Sequence, residues 1–220
     1  MTVRELVVDD DRVVGDGGFL AIRRLRLRNR RGDGATSAPD VCDVVVRPYG
    51  QDAVVVAVYA RDAHGRTSVL VRDGLRPALA LARDAAAAPL AELSARLFLT
   101  ELVAGIVEVG DRGEAGLRER AAHEVEEEAG FVVEPARVQL LGAGAFPSPG
   151  CMIEKFYFCA VEVDPREQRA LAGDGSPMEE GADTRWLVLD DAIAACVRGE
   201  LADVKTELGL RRLRDHLSTG

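Results

Sequence analysis

Cysteine is scarce in the sequence, and its spacing excludes the sites that cysteine pairs commonly form. The chain has four cysteines in 220 residues, at Cys42, Cys151, Cys159 and Cys196. No two of them stand at the C-x-x-C spacing of zinc knuckles and redox pairs. We therefore expect free thiols, as in proteins of a reducing cytoplasm.

Long apolar runs are also missing, and we expect no secretory leader. No run approaches the ~20 apolar residues that a helix needs to cross a bilayer. The first five residues (Met-Thr-Val-Arg-Glu) do not form a basic stretch followed by an apolar segment, which a signal peptide requires. These features predict a soluble cytoplasmic protein with no membrane partner.

Positive charge is in deficit, because 28 Lys and Arg stand against 37 Asp and Glu, for a net charge of −9. A general nucleic-acid binder needs basic patches, so no nucleic-acid partner is expected. A small phosphorylated substrate remains compatible, since a bound cation can offset acidic side chains locally. Hydrophobic residues make up 47% of the chain, which is enough for a sizeable core.

The pattern of elements changes near residue 48. Residues 1–48 contain short β-prone segments (3–8, 19–28 and 41–46) around a glycine-rich turn at 15–18 and a polar loop at 32–40. They predict a small N-terminal β segment. Residues 49–220 alternate between strands and helices, which is typical of a sheet covered by helices. The predicted strands are 52–60, 67–72, 97–103, 138–141, 155–163 and 184–189, and the predicted helices are 117–129, 190–197 and 204–217.

Two of these segments carry particular signals. The run Val54–Val58 is nearly all β-branched, which favours a strand buried on both faces. Residues 84–93 are alanine-rich, and their sequence leaves a loop and a short helix equally open.

The helix at 117–129 is the clearest prediction. Leu117, Ala121 and Val125 recur every four residues and form one apolar stripe. Gly130 follows, where a glycine commonly ends a helix in the left-handed conformation.

The same helix carries a cluster of carboxylates. At about 100° per residue, Glu127 lies about 60° to one side of Glu124 and Glu128 about 40° to the other, while Glu126 points away. Like charges at this spacing repel one another, whereas Mg²⁺ takes hard oxygen ligands and also binds substrate phosphates. Geometry alone leaves a solvated acidic face and a metal site equally open.

The segment resembles the Nudix box, G-x5-E-x7-R-E-U-x-E-E-x-G-U, where U is apolar. Its second half matches at Glu124, Val125, Glu127, Glu128, Gly130 and Phe131. Upstream, residues 101–110 (ELVAGIVEVG) are similar to the E-L-P-A-G stretch that opens the box in the sugar-nucleotide branch.

The front half of the box departs from the pattern. His123 stands at the position of the box arginine, which in the family orients the carboxylates. The segment from Gly105 to His123 is longer than the family pattern, with 111–114 as the expected extra region. Asp111 fits the first box glutamate counted from Gly105, whereas Ala115, beside Glu114, fits when counted back from His123.

Three further stretches resemble the ADP-ribose and UDP-sugar diphosphatases. Residues 69–77 (VLVRDGLRP) are similar to their V-L-V-R-Q-x-R-P stretch, which implies that Arg76 approaches the substrate diphosphate. Residues 146–150 (FPSPG) are similar to their S-P-G loop, which implies substrate binding by Ser148 and Gly150, although an ordinary tight turn is equally open. Residues 199–206 (GELADVKT) resemble the branch's closing motif, in which we take Lys205 as structural.

Residues 178–186 (MEEGADTRW) resemble the acidic loop of that branch, where a glutamate acts as general base. The resemblance therefore implies a catalytic role for Glu179 or Glu180, and the sequence does not choose between them. Glu128 is the third candidate catalytic residue.

The resemblance implies an α/β fold, a Nudix-type α/β/α sandwich with a mixed sheet, plus the small N-terminal β segment. Residues 1–48 would serve homodimerisation, and residues 49–220 would form the hydrolase domain. Mg²⁺, or Mn²⁺, would be held by Glu124, Glu127, Glu128 and the carbonyl of Ala104.

The implied activity is hydrolysis of the diphosphate bond of a nucleoside diphosphate sugar, of the ADP-ribose or UDP-glucose type, to a nucleoside monophosphate and a sugar phosphate. Two alternatives stay open. One is a regulator that binds an ADP-ribose-like ligand without hydrolysing it. The other is a Nudix hydrolase for another diphosphate, such as GDP-mannose or a dinucleotide.

Overall fold

The chain divides into two compact units. The structure, a computed structural model, describes residues 3–47, 49–82, 84–90, 97–171, 175 and 181–219. The first unit comprises Met1–Ala53, Ile106–Val109 and Ala145–Lys155, and the second comprises Val54–Gly105, Gly110–Gly144 and Phe156–Gly220. The predicted border at residue 48 lies inside the first unit, which also takes in two segments from later in the chain.

The first unit contains an antiparallel sheet in the order β1-β2-β3, formed by β1 (Val3–Asp16), β2 (Ala21–Arg31) and β3 (Asp40–Val46). The small N-terminal β segment is therefore present. The turn predicted at 15–18 is too long, because β1 continues to Asp16, which pairs with Ala21. The reversal needs only the next residues: Gly17 N–H donates to the Leu20 carbonyl at 2.9 Å, and Gly18 has a φ of 84°.

Charged side chains tie the three strands of this sheet together. Every second residue from Arg24 to Arg30 in β2 is an arginine, and several arginines of this strand pair with carboxylates on the neighbouring strands. These pairs are largely solvent-exposed, and they include Arg24–Asp43, Arg28–Asp9 and Arg30–Glu5.

Among the described residues, seven strands form the second sheet. Its main path is β10-β5-β4-β9-β8, with β6 beside β5 and β7 beside β4. The strands are β4 (Ala53–Arg61), β5 (Thr67–Leu75), β6 (Phe98–Glu101), β7 (Val103–Ile106), β8 (Gln139–Leu140), β9 (Phe156–Glu162) and β10 (Asp183–Val188). The helices are α1 (Gly113–Ala129), α2 (Leu189–Val197) and α3 (Val204–Thr219), with short helical turns at Ala78–Ala82, Ala85–Ala87, Pro135–Arg137 and Pro165–Glu167.

The β-branched strand β4 is buried as its sequence predicts. Every residue from Ala53 to Ala60 is buried, whereas Arg61 is exposed where the strand ends. The predicted hairpin with β5 is also confirmed, with Tyr59 opposite Val69 in an antiparallel pair. The Asp62 carboxylate closes the turn by accepting hydrogen bonds from two backbone N–H groups.

The single strand predicted at 97–103 is wrong, because the chain changes neighbour at Leu102. β6 pairs with β5, while β7 pairs with β4. The buried N–H of Leu102 donates to the Thr206 hydroxyl at 2.9 Å. The Leu102 N–H has no partner strand at the break, and a side chain on α3 accepts its hydrogen bond instead.

Helix α1 begins at Gly113, before the predicted start at Leu117. Its end is as predicted, since Gly130 adopts a φ of 74° and its N–H donates to the Glu126 carbonyl. A Cβ at Gly130 would lie 2.3 Å from the carbonyl oxygen of Arg169. Both the conformation and the close approach therefore require glycine.

The helices pack on the second sheet as the predicted α/β class requires. α1 contacts β5, β8 and β9, while α2 and α3 contact each other and the sheet. The approach of α3 is close, because a Cβ at Gly209 would lie 2.7 Å from Leu102 Cδ1. Within the described ranges, no helix combines the length and apolar character needed to span a membrane.

Candidate functional site

Helix α1 presents its carboxylates as the helical spacing predicts. Glu124 and Glu128 are each 8% exposed, and the side chain of Glu127 is 29% exposed. Glu126 lies on the exposed side of the helix. Burying carboxylates is unfavourable unless cations or hydrogen bonds compensate them, so the groups around Glu124, Glu127 and Glu128 decide what this face can do.

Glu124 lies against the backbone of β7. A Cβ atom at Gly105 would stand 1.9 Å from Glu124 Cδ and 2.0 Å from its Oε1. No residue other than glycine leaves room for the carboxylate in this position. The Nudix box, which this segment resembles, has a glycine at this position, and the contact with Glu124 gives the steric reason.

Arg120 is the cation beside Glu124. Its Nη1 lies 3.7 Å from Glu124 Oε1, one turn along the helix. Its Nε donates to Asp111 Oδ2 at 2.9 Å, and both side chains of this pair are largely buried. Asp111, one of the two positions considered for the first box glutamate, therefore forms an ion pair with Arg120.

Arg120 was not predicted as a site residue, because His123 occupies the position of the box arginine. The i,i+4 spacing between Arg120 and Glu124 was the signal that could have found it. A second feature supports the arrangement. A Cβ at Gly116 would lie 2.6 Å from the backbone of Asp111, so the loop packs directly on the first turn of α1.

His123 pairs with Glu127. Its Nδ1 lies 3.1 Å from Glu127 Oε2, and its side chain is 55% exposed. One ligand atom each from His123, Glu124 and Glu127 lies within 4.8 Å of the others. These three residues are brought together on one face of α1.

Glu128 is held by two donors on the sheet. Arg72 Nη1 donates to its Oε1, and the backbone N–H of Ala104 donates to its Oε2 at 3.1 Å. Both partners of the Arg72–Glu128 ion pair are buried. Ala104 thus contacts Glu128 through its N–H, and metal binding by its carbonyl stays a prediction.

Arg72 was a second residue without an assigned role in the sequence analysis. The sequence feature that could have indicated its role is its position directly after the apolar run Val69–Val71. A charged side chain in a buried strand needs a partner of opposite charge.

Arg76 forms an ion pair with Glu101. Its Nε and Nη2 donate to the two Glu101 oxygens at 2.6 and 2.8 Å. Lys205 also donates to Glu101, which is 2% exposed. Lys205 completes a chain of alternating charges by donating to Asp203 at 3.0 Å. This agrees with the structural role expected for Lys205, whereas a contact of Arg76 with the substrate stays a prediction.

Ser148 and Gly150 belong to the first unit, whereas the α1 carboxylates belong to the second. The Ser148 carbonyl accepts from the N–H groups of Cys151 and Met152 at 3.2 and 2.9 Å, which makes a tight exposed turn. Nothing lies within 4 Å of a Cβ built at Gly150. Substrate binding by these residues stays a prediction.

Glu179 and Glu180 lie outside the described residues. A general-base role for either of them therefore also stays a prediction.

The donor set of α1 suits a divalent cation. Carboxylate oxygens are the ligands that Mg²⁺ and Mn²⁺ prefer, and Glu124 and Glu127 offer them from adjacent turns of one helix. The absence of a side chain at Gly105 leaves the space that the Glu124 carboxylate fills. The residues present therefore fit such an ion.

Comparison with known proteins gives matches among solved structures. No protein-family model matches the chain, and no curated protein matches it. The chain is similar to a crystal structure of an ADP compounds hydrolase, with a TM-score of 0.70, 12% identity, and coverage of 100% of this chain and 97% of that one.

Two Nudix hydrolase structures are less similar. The one from Alicyclobacillus acidocaldarius gives a TM-score of 0.47 at 14% identity, over 73% of this chain and 89% of that chain. The one from M. Smegmatis gives a TM-score of 0.38 at 15% identity, over 87% and 96%. At 12% identity, the likeness to the ADP compounds hydrolase concerns the fold alone, and it agrees with the Nudix-type α/β/α fold predicted from the sequence.

Proposed function

We propose that the chain is a Mg²⁺-dependent hydrolase of the diphosphate bond in a nucleoside diphosphate sugar, of the ADP-ribose or UDP-glucose type. Its products would be a nucleoside monophosphate and a sugar phosphate. The observation that carries this proposal is the convergence of Glu124 and Glu127 on one face of α1, with Glu124 seated against Gly105. The similar fold of an ADP compounds hydrolase supports it.

Glu124, Glu127 and Glu128, with the Ala104 carbonyl, would hold one or more Mg²⁺ or Mn²⁺ ions. When bound, such an ion neutralises the diphosphate and lowers the pKa of a coordinated water. Glu128 keeps capacity for this role while paired, because a carboxylate has about four acceptor sites. Its hydrogen bonds from Arg72 and Ala104 fix its orientation.

Arg76 would bind the substrate phosphates. A guanidinium has five N–H groups, and three nitrogen atoms of Arg76 each donate one hydrogen bond, to Glu101 or to the Leu75 carbonyl. The remaining donors suit phosphate oxygens. Glu101 and Lys205 would position Arg76. Substrate binding by Ser148 and Gly150 is proposed from the resemblance of residues 146–150 to the S-P-G loop alone.

Glu179 or Glu180 would accept the proton of the attacking water. A general base must come within hydrogen-bond reach of that water in the closed complex. The acidic loop resemblance supports this assignment. Separate Glu179→Gln and Glu180→Gln variants would identify the base as the residue whose replacement lowers kcat.

The test is a panel of nucleoside diphosphate sugars, GDP-mannose and dinucleotides, assayed with Mg²⁺ and with Mn²⁺. We expect turnover of ADP-ribose or UDP-glucose and loss of about 100-fold or more in Glu124→Gln and Glu128→Gln, because metal ligands are replaced. Glu126→Gln is the matched control, since Glu126 points to solvent from the same helix. Unchanged turnover in both ligand variants would overturn the metal assignment.

A regulator that binds an ADP-ribose-like ligand is the second candidate. It is favoured by the buried Arg72–Glu128 pair, which ties up one of the three carboxylates. Calorimetric binding of ADP-ribose with no product after hours in Mg²⁺ or Mn²⁺ would establish this function in place of hydrolysis.

We also propose a homodimer formed through the sheet β1-β2-β3. Apolar side chains of this sheet and its turn are exposed, among them Leu6, Val8, Val13 and Phe19, and exposed apolar patches commonly mark association surfaces. Sedimentation should give a dimer that Val8→Glu weakens. A monomeric wild-type chain at micromolar concentration would overturn the proposal.

A further inference from the structure

We propose that His123 is itself a metal ligand, and that its imidazole makes the α1 site favour borderline ions such as Co²⁺ and Zn²⁺ over Mg²⁺. The inference rests on the proposed function, in which Glu124 and Glu127 hold a divalent ion. It adds a nitrogen donor, and with it a metal preference, to the oxygen donors expected from the sequence.

The distances suit direct coordination. An ion with ligands at about 2.1 Å in octahedral geometry places adjacent ligand atoms about 3.0 Å apart and opposite ones about 4.2 Å apart. His123 Nδ1 lies 3.1 Å from Glu127 Oε2. The ligand atoms of His123, Glu124 and Glu127 lie within 4.8 Å of one another. An ion therefore fits among them with shifts of a few tenths of an ångström.

The helix backbone brings the donors together. His123 and Glu127 are four residues apart on α1, and side chains at this spacing lie one above the other on a helix. The same spacing lets two helical histidines bind zinc in metalloproteases. The pairing of His123 with Glu127 is thus fixed by α1 alone.

The site is also open to an entering ion. The side chains of His123 and Glu127 are 55% and 29% exposed. Neither is enclosed in the core, so an ion can replace the direct contact between Nδ1 and Oε2 without moving the helix.

The chemistry of the donor sets the preference. Mg²⁺ demands hard oxygen ligands and keeps several waters, whereas imidazole nitrogen suits zinc and other borderline transition ions. An arginine at this position, as in the Nudix box, carries a permanent positive charge and has no lone pair to donate. His123 therefore changes the site from one that repels a cation at this position to one that can coordinate it.

The experiment compares Co²⁺ and Mg²⁺ binding to the full chain by calorimetry, together with the visible absorption spectrum of the Co²⁺ complex. In His123→Gln we expect Co²⁺ affinity to fall by at least about 10–100-fold, since loss of even an outer-shell partner of a metal ligand costs that much. Mg²⁺ affinity should change by less than about 3-fold, since Mg²⁺ gains little from nitrogen. The Co²⁺ ligand-field bands should shift as nitrogen is lost.

His64→Gln is the matched control, because His64 is exposed in the turn between β4 and β5 and only its backbone N–H donates to Asp62. It should leave both affinities and the spectrum unchanged. An equal effect of His123→Gln on both metals, or none on either, would overturn the inference. Failure of the proposed metal site would look different, because Glu124→Gln and Glu127→Gln would then leave all metal binding unchanged.

Discussion

Gly105 lies directly against the carboxylate of Glu124. A Cβ at Gly105 would come within 1.9 Å of Glu124 Cδ. Because that carboxyl group ends a flexible side chain, we expect Gly105→Ala to displace the Glu124 carboxylate while the backbone stays in place. Metal affinity should fall by about 10–100-fold, measured by calorimetry.

Gly110→Ala is the matched control. No atom stands within 4 Å of a Cβ at Gly110, and its backbone does not adopt a positive φ. This variant should bind the ion as the wild type does. Equal metal affinity in the two variants would contradict the steric role of Gly105.

The Arg72–Glu128 pair gives a prediction for stability. Removing one partner of a buried ion pair leaves an uncompensated buried charge, which costs about 3–5 kcal/mol. Arg72→Met should therefore lower the free energy of unfolding in urea by about that amount, because Glu128 stays buried. The loss should be the largest among single substitutions of arginines on the second sheet.

The double variant Arg72→Met/Glu128→Gln separates the charge from the packing. Removing both charges should restore most of the lost stability, since no unpaired charge remains. Glu128→Gln could instead lower the free energy of unfolding as much in the Arg72→Met background as in the wild type. That result would contradict the ion pair between the two residues.

Thr206 joins α3 to the sheet through its hydroxyl. Its Oγ1 accepts from Leu102 N–H at 2.9 Å and donates to Asp203 Oδ2 at 2.6 Å, and the residue is buried. Thr206→Val keeps the shape and leaves a buried N–H unsatisfied, so we expect a loss of about 1–3 kcal/mol in the free energy of unfolding.

Thr219→Val controls for the substitution itself, since Thr219 is exposed at the end of the same helix. Its effect should stay within about 0.5 kcal/mol. Similar losses in the free energy of unfolding at both positions would contradict the role given to the Thr206 hydroxyl.

The cysteines should differ in reactivity. Burial raises the pKa of the Cys159 thiol to about 12 and that of Cys196 to about 11. Because the thiolate is the nucleophile, neither should react with a disulfide reagent at pH 8 in the folded protein. The exposed Cys151 should react rapidly, and all four thiols should react after unfolding.

These raised pKa values also set the direction of a pH effect on stability. The unfolded thiol ionises near pH ~8.5, whereas the folded Cys159 thiol stays neutral up to about pH 12. Its contribution to stability is therefore complete below pH ~8.5 and is lost as the pH rises towards 12. Rapid labelling of Cys159 at pH 8 would contradict both expectations.

Local sequence patterns predicted the features that depend only on neighbouring residues in the chain. The end of α1 at Gly130 and the burial of β4 follow from a glycine and a β-branched run that lie within the elements themselves. The carboxylate face of α1 follows from the helical repeat. Each of these features needs no information from another part of the chain.

Apart from Arg120, whose i,i+4 spacing to Glu124 is local, the missed features depend on distant residues. The break at Leu102 is completed by Thr206, which lies 104 positions away. The donor to Glu128, Arg72, is 56 positions away. No periodicity in the sequence connects such residues, so only the packed sheet and helices bring them together.

The paired charges on β1, β2 and β3 give the two units different responses to ionic strength. Exposed pairs such as Arg24–Asp43 and Arg30–Glu5 stand in water, where mobile ions weaken them as salt rises above the physiological level and the Debye length falls below about 8 Å. The buried Arg72–Glu128 pair is largely shielded from mobile ions. Added salt should therefore loosen the amides of the N-terminal sheet to hydrogen exchange well before it affects those of β5 and α1.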